Sequence, residues 1–130
     1  MTLLFLTGDG MRGGRLHDRL GGAPLVAVTR TVPAYRMYAV DDRFPALERV
    51  GAGGVAVRGE LYDVPLATVG GALLPAEPAE LELGAVELAE GAWALATVLR
   101  REHRGTARLD VIDRFADWRA YRADQPGAAT

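Results

Sequence analysis

The sequence contains no cysteine, no lysine and no serine. Without cysteine, disulfides, thiolate nucleophiles and Cys-ligated zinc sites are excluded. Without lysine, the chain can form no Schiff base through a side-chain amine and lacks the lysine of a phosphate-binding P-loop. Without serine, a serine nucleophile of the triad type is excluded. Any chemistry must therefore rely on carboxylates, histidines and arginines.

The sequence also lacks long apolar runs and basic stripes. No apolar run approaches the ~18 residues that a membrane-spanning helix needs, and no basic segment precedes the short apolar stretch at residues 2–7, so no signal peptide is expected. The net charge is −2, and the basic residues are not interleaved with aromatic ones. We therefore expect a cytoplasmic protein that contacts neither a membrane nor nucleic acid.

The composition is that of one globular domain. The chain has 130 residues, of which 49% are hydrophobic and 25% charged. A domain of this size buries roughly two-thirds of its unfolded surface. We expect a single domain over residues 1–123 and a disordered tail over residues 124–130.

Hydrophobic periodicity predicts more strands than helices. The strands are expected at residues 3–6, 25–32, 35–40, 55–64, 84–88 and 93–99, with a loop around Pro45. Helical turns are expected at residues 16–20 and 65–74, and a last helix capped by Asp110. Because strands mostly follow strands, the pattern predicts an α+β fold with a curved mixed or antiparallel sheet, small and barrel-like, and two or three short helices.

A glycine-rich loop follows the first strand, where residues 8–13 match G-x-G-x-x-G. A dinucleotide site also needs a full helix after this motif, but Gly21 and Gly22 interrupt the chain too soon. Two interpretations remain. The loop is either an anion-binding nest with Arg12 and Arg15 as additional donors, or a tight turn with solvated arginines.

Five sequence segments occur in an order and spacing that resemble the C-terminal domain of allophanate hydrolases, within the gamma-glutamylcyclotransferase-like superfamily. They are Gly10-Met11-Arg12-Gly13, Ala34-Tyr35-Arg36-Met37-Tyr38, Gly59-Glu60-Leu61-Tyr62, the proline-containing segment 77–88, and Trp118-Arg119-Ala120-Tyr121. The resemblance covers nearly residues 3–123 and implies a gamma-glutamylcyclotransferase-like fold.

The resemblance also implies a function. In that family the first enzyme domain hydrolyses allophanate, and the C-terminal domain is thought to decarboxylate the resulting N-carboxylated product. This implies a stand-alone domain acting on a small carboxylated urea- or amide-type substrate. Two alternatives stay open: a gamma-glutamyl-type cyclotransferase, and a non-catalytic domain that binds a small ligand or a partner amidase. A homo-oligomer is compatible with the sequence, and we expect no cofactor and no metal.

Eight residues are candidate substrate ligands. Arg36 lies between two tyrosines and is able to bind a carboxylate through two parallel hydrogen bonds; alternatively it extends over a sheet edge. Strand alternation places Arg36 and Tyr38 on one face and Tyr35 on the other. The set comprises Gly8, Asp9, Gly10, Met11 and Arg12 of the loop with Tyr35, Arg36 and Tyr38.

His17 and Glu60 are candidate catalytic residues. The resemblance implicates a histidine soon after the first loop, and His17 lies one residue from that position; histidine is a common proton-transfer group in enzymes. The alternative is an exposed histidine. Glu60 lies in the middle of an alternating strand, and we favour an inward side chain with a perturbed pKa over a solvated one.

Glu82 is the third catalytic candidate. It belongs to a group with Glu77 and Glu80, and it lies two residues before Gly84, where the resemblance to cyclotransferases implies an acid–base glutamate. The alternative is a solvated acidic loop. We expect a concave pocket bordered by residues 8–12, with Arg12 or Arg36 and at least one of Glu60 and Glu82 opening into it.

Overall fold

The computed structural model describes residues 2–103 and 108–125 and contains two β-sheets with a few short helices. The strands are β1 (Leu3–Leu6), β2 (Leu25–Arg30), β3 (Tyr35–Val40), β4 (Phe44–Arg49), β5 (Arg58–Asp63), β6 (Leu81–Glu87), β7 (Trp93–Leu99) and β8 (Leu109–Val111). The helices are α1 (Leu66–Thr68), continued by a π turn (Val69–Leu73) and a 3₁₀ turn (Leu74–Ala76), and α2 (Trp118–Asp124), with further 3₁₀ turns at His17–Leu20 and Arg101–His103.

The larger sheet has five strands in the order β2-β5-β1-β7-β6. Its neighbours are antiparallel except for β1 and β7, which run parallel. The smaller sheet has the order β4-β3-β8 and is antiparallel. The α+β class and the mixed sheet are therefore confirmed, but the two sheets do not close into a barrel.

Strand β1 contributes to the core on both of its faces. Phe5 packs in the cluster that also holds Tyr35 and Leu61, whereas Leu4 and Leu6 pack in a second cluster. Successive side chains of a strand point to opposite faces, so a strand covered on both sides needs an unbroken apolar run. The apolar run at residues 3–6 satisfies this need and fixes β1 in the middle of the larger sheet.

Strand β4 occupies the segment that the sequence analysis assigned to a loop around Pro45. Pro45 lies opposite Ala39 in the pairing of β4 with β3. β4 is an edge strand of its sheet, where a residue without an N–H is tolerated. Proline was therefore a misleading loop signal here.

The prediction of a last helix capped by Asp110 was wrong. Asp110 lies in β8, opposite Ala39. The helix begins at Trp118, and the carboxylate of Asp117 accepts hydrogen bonds from the backbone N–H groups of Arg119 (2.9 Å) and Ala120 (3.4 Å). The apolar residues whose spacing predicted one helix lie in three different elements: Val111 in β8, Phe115 in a turn and Trp118 in α2.

Several predicted boundaries also differ from the structure. The strand expected from residue 55 begins at Arg58, and α2 extends to Asp124, the first residue of the expected tail. The rest of that tail, residues 126–130, lies outside the described residues. No helix in the described part of the chain is long and apolar enough to cross a membrane.

Candidate functional site

The glycine loop (residues 8–14) lies at the carboxyl end of β1. Because β1 and β7 run parallel, their carboxyl ends open at the same edge of the sheet. The loop is closed by its own backbone: Met11 N–H donates to Gly8 O (3.0 Å) and Gly14 N–H to Met11 O (2.8 Å).

The N–H groups of Gly8, Asp9 and Gly10 donate to no described residue. Consecutive free N–H groups in a turn form a concave site for an anion. The loop therefore offers unpaired donors, although none of residues 8–10 has the left-handed backbone that is typical of a nest.

Glu60 approaches the loop from β5 and is fully engaged. Its Oε1 accepts hydrogen bonds from the backbone N–H of Arg12 (2.7 Å) and the hydroxyl of Tyr62 (2.7 Å), and its Oε2 accepts from Arg119 Nη1 (3.2 Å). The residue is only 5% exposed, so the predicted inward orientation is confirmed. Glu60 thus joins β5, the loop and α2.

The partners of Glu60 decide its charge. Burial raises the pKa of a carboxyl group, but the N–H of Arg12, the hydroxyl of Tyr62 and the charge of Arg119 oppose it and hold the pKa of Glu60 below its ordinary value. Burial and the bond to Glu60 in turn raise the pKa of Tyr62. At neutral pH Glu60 is therefore an ionised acceptor.

His17 contacts the loop from the 3₁₀ turn that follows it. Its Nδ1 lies 2.9 Å from Gly10 O, and its ring centroid lies 5.5 Å from that of Tyr62. A carbonyl oxygen only accepts hydrogen bonds, so this contact assigns the proton to Nδ1 and leaves Nε2 to exchange protons.

Glu77 lies beside residues 8–10 of the loop, just after the end of the helical segment that starts with α1. A cavity of about 20 Å³ lies between them. The Glu77 carboxylate forms no hydrogen bond or ion pair with any residue in the described ranges 2–103 and 108–125. The other residues lining this cavity are Leu6, Thr7, Gly8, Asp9, Gly10, Pro45, Leu81 and Thr97.

The environment of Glu77 favours its protonated form. Burial and the nearby negative charge of Asp9 raise the pKa of Glu77 to about 7, and Arg15 opposes this shift. Arg15 also pairs with Asp9 at 3.6 Å. Near neutral pH, Glu77 can therefore both donate and accept a proton.

A wider groove separates the loop from α2. It has a volume of about 430 Å³ and is bordered by Arg12, Arg119 and Arg122. A smaller cavity of about 90 Å³ adjoins it, with Glu60 in its wall. Cavities therefore border residues 8–12, and Arg12 and Glu60 line two that adjoin each other.

Arg36 and Tyr38 lie away from the loop, on β3 of the smaller sheet. Arg36 Nε pairs with Asp113 Oδ2 at 3.4 Å, and the Tyr38 hydroxyl donates to Glu48 Oε1 at 2.8 Å. Neither residue lines the cavities beside the loop. The structure does not bring them together with Arg12.

Tyr35 and Glu82 border a separate groove of about 240 Å³ between the two sheets. The Tyr35 hydroxyl accepts from Arg49 Nη1 (3.2 Å) and from the N–H of Glu87 (2.9 Å). Glu82 is 43% exposed and pairs with Arg100 at 3.5 Å. Among the acidic residues before β6, Glu77 is the one that lines the cavity at the glycine loop.

The sequence analysis named Glu77 but preferred Glu82 for its distance from Gly84. The helical pattern of Leu66, Val69 and Leu73 was the better signal, because it ends just before Glu77 and carries this residue back to the loop. The role of Arg119 was missed because its partner Glu60 is 59 residues away in sequence.

Together these features define an α+β domain of two sheets, with a glycine turn at the end of a central strand and a half-buried carboxyl group of raised pKa beside it. Residues 2–123 match the family described as the allophanate hydrolase C-terminal domain. The chain belongs to this family.

Solved structures agree with this assignment. A uropathogenic Escherichia coli-specific protein is 34% identical, with 95% of this chain and 97% of that chain covered and a TM-score of 0.84. Kluyveromyces lactis allophanate hydrolase is 25% identical over 92% of this chain, with a TM-score of 0.83; this match covers 20% of the yeast chain.

A more distant chain shares the same fold. An uncharacterized Pyrococcus horikoshii protein is 20% identical, with 94% and 93% of the two chains covered and a TM-score of 0.72. No curated protein matches the chain. The chain thus spans about a fifth of the yeast hydrolase and nearly the whole of the two smaller neighbours.

Proposed function

We propose that the chain is an acid–base catalyst that decarboxylates a small carboxylated urea- or amide-type substrate at the glycine loop. The observation that carries this proposal is the shared cavity. Glu77, whose carboxylate has no partner among the described residues, lines the same small cavity as Gly8, Asp9 and Gly10, whose N–H groups donate to no described residue. This places a proton donor beside a set of anion-binding groups.

Binding would use the loop backbone. A substrate carboxylate accepts hydrogen bonds from the free N–H groups, and bonds to a charged acceptor are stronger than neutral ones. The negative charge of Asp9 opposes an anion, but its ion pair with Arg15 offsets that charge. No metal is needed for this mode of binding.

The chemical step would use the proton of Glu77. The bond between the substrate nitrogen and its carboxyl carbon breaks, and the electron pair of that bond goes to nitrogen. Nitrogen takes the proton from the Glu77 carboxyl group while carbon dioxide leaves. Glu77 then regains a proton from water, which its pKa of about 7 permits at neutral pH.

Glu60 and His17, the other catalytic candidates, are assigned here as positioning residues. Glu60 is ionised and accepts three hydrogen bonds, and it fixes Arg12 of the loop against Arg119. His17 donates to Gly10 O and holds the turn from the opposite end. The acid–base role expected of Glu82 belongs to Glu77 in this proposal.

Family membership supports a substrate of this class. The matched region is a fifth of a yeast allophanate hydrolase and 8% of a yeast urea amidolyase chain. A domain that accompanies allophanate hydrolysis would meet a small N-carboxylated product.

In the test, an amidase generates the carboxylated substrate during the assay. Allophanate is given to an amidase that lacks this domain, and carbon dioxide release is followed with and without the purified chain. We expect the wild type to accelerate release and Glu77→Gln to lose about 10²–10⁴ of that rate, because an amide cannot exchange the proton. Glu102→Gln, at an exposed carboxylate, is the matched control and should keep full activity.

Two results would contradict the proposal. One is no acceleration by folded wild-type protein at any pH between 6 and 8. The other is full activity of Glu77→Gln. Loss of activity in Glu82→Gln alone would move the site to the groove between the sheets.

The second candidate function is non-catalytic binding of a partner amidase. The specific observation is an exposed apolar pair, Val26 (47%) and Val28 (51%), on the edge strand β2. Exposed apolar residues at a sheet edge are suited to contact with another chain. Val26→Glu, at a residue that lines none of the cavities beside the loop, should abolish co-sedimentation with an amidase and leave decarboxylation unchanged if the edge strand binds this partner.

A further inference from the structure

Pro45 packs directly over Gly8. A Cβ atom built at Gly8 would lie 2.7 Å from Pro45 Cδ and 2.8 Å from Pro45 Cγ. Gly8 is not among the glycines with positive φ. Glycine is required at this position by the proline ring, and not by the backbone conformation.

Pro45 is held firmly in this place. It is buried in β4 and lies opposite Ala39 across the pairing with β3. The pyrrolidine ring also fixes its own backbone angle. The ring therefore forms a rigid wall of the cavity that is also lined by Glu77 and by residues 8–10 of the loop.

The space left beneath this wall is very small. The cavity measures about 20 Å³, and a single water molecule needs at least about 10–15 Å³ by the same kind of measure. Sites for larger organic ligands measure about 300 Å³ or more. A group the size of one carboxylate fits with small adjustments, but a gamma-glutamyl group would have to displace the proline.

We infer that Pro45 is a specificity-determining residue, which restricts the site to a carboxylate or carbamate on a short molecule and excludes the longer gamma-glutamyl compounds. This inference rests on the proposed function, since it concerns the ligand of the same cavity. It separates decarboxylation of a small carbamate from the cyclotransferase chemistry that the sequence left open.

The first test compares ligand size in wild type, Pro45→Ala and Pro33→Ala. Alanine at position 45 removes the Cγ and Cδ atoms that cover Gly8, whereas Pro33 is exposed and lies outside the cavity. Thermal unfolding is followed with formate, acetate, glutarate and gamma-glutamyl amide at constant ionic strength. Ligands that bind only the folded state raise its melting temperature.

We expect formate and acetate to stabilise all three proteins, and the two longer compounds to stabilise only Pro45→Ala, with an affinity gain of at least about tenfold over the wild type. Equal binding of short and long compounds by the wild type would overturn the size limit and leave the proposed function intact. If formate and acetate stabilise none of the proteins, the carboxylate site itself fails, and with it both proposals.

A second test needs no ligand. Gly8→Ala should destabilise the wild type because its methyl group meets the proline ring, and it should be tolerated in Pro45→Ala. A double-mutant cycle measures this coupling directly. If the two substitutions are additive, the ring does not limit the space over Gly8, and the inference is overturned even where Pro45→Ala is too unstable for ligand work.

Discussion

Glu60 and Glu77 contact different parts of the same glycine loop, and their pKa values are shifted in opposite directions. Glu60 is only 5% exposed, yet its pKa lies below the ordinary value, because three donors bind its carboxylate. At Glu77, burial and the negative charge of Asp9 raise the pKa to about 7, and no described residue donates a hydrogen bond that would offset them. Burial raises the pKa at both residues, but only at Glu60 do hydrogen-bond donors and the charge of Arg119 outweigh it.

The difference also separates two tasks. The Glu60 side is closed by contacts that join β5, the loop and α2, so it is suited to hold the loop in place. The Glu77 side keeps an unengaged acid, which is suited to proton transfer. A catalytic loop needs both, because a proton donor is effective only where its substrate is held in a fixed position.

The largest effect on stability is expected from Glu60→Gln. The amide keeps one acceptor oxygen but turns an NH₂ group toward the donors that the carboxylate satisfied. We expect the free energy of unfolding to fall by about 2–4 kcal/mol, because hydrogen bonds to a charged group are worth about 1.5–3 kcal/mol each and the half-exposed Arg119 adds little. Urea denaturation measures this change.

The control for Glu60→Gln is the exposed Glu102→Gln, which should stay within about 0.5 kcal/mol of the wild type. Equal stability of the two variants would mean that the buried carboxylate does not hold the loop. The assignment of Glu60 as the residue that holds the loop in place would then be wrong.

Glu77→Gln should raise the free energy of unfolding, and it should do so only above acidic pH. The carboxyl group has an ordinary pKa of 4.5 and a pKa of about 7 in the folded chain. Below pH 4.5 both states bind the proton, and the stabilisation is fully present. As the pH rises toward 7 the unfolded state loses its proton first, so wild-type stability falls and then levels off above 7.

Glutamine has no proton to lose, so this decline should vanish in Glu77→Gln. At pH 8 the variant should be more stable than the wild type by up to about 3 kcal/mol. Urea denaturation at pH 4.5, 6 and 8 checks this expectation. Parallel stability curves for the two proteins would show that burial does not perturb Glu77.

The smallest effect is expected from Arg15→Gln. Arg15 is 72% exposed and lowers the pKa of Glu77 through its charge. Exposed ion pairs are worth at most about 1 kcal/mol, so the pKa of Glu77 should rise by less than about one unit. The pH profile of turnover reports this shift, with Arg19→Gln as an exposed control. A downward shift would contradict the assigned charges.

Local patterns predicted much of the fold. The apolar run of β1, the alternation in β5 that turns Glu60 inward, and the helical spacing after Pro65 all appear in the structure. Failures occurred where tertiary pairing overrode a local signal. Pro45 was taken for a loop residue but lies on an edge strand, and Asp110 was taken for a helix cap but lies in β8.

The site was harder to predict because its parts are distant in sequence. The glycine loop was identified from its spacing, but its contacts with Glu60 and Arg119 span 48 and 107 residues. Arg36 was assigned to the loop by residue type, but β3 carries it to the other sheet, where it pairs with Asp113. The pairing order of the strands determines which of these arginines reaches the loop, and a single sequence does not reveal that order.

The proposed role of Glu77 as proton donor depends most directly on the pH at which its carboxyl group titrates. Carbon-13 NMR of the glutamate side-chain carboxyl groups, assigned by comparison with Glu77→Gln and Glu60→Gln, measures this titration without a substrate. We predict a midpoint near pH 7 for Glu77, and one below the ordinary value for Glu60. A Glu77 midpoint near 4.5 would contradict the central claim, because the carboxyl group would then hold no proton to donate at neutral pH.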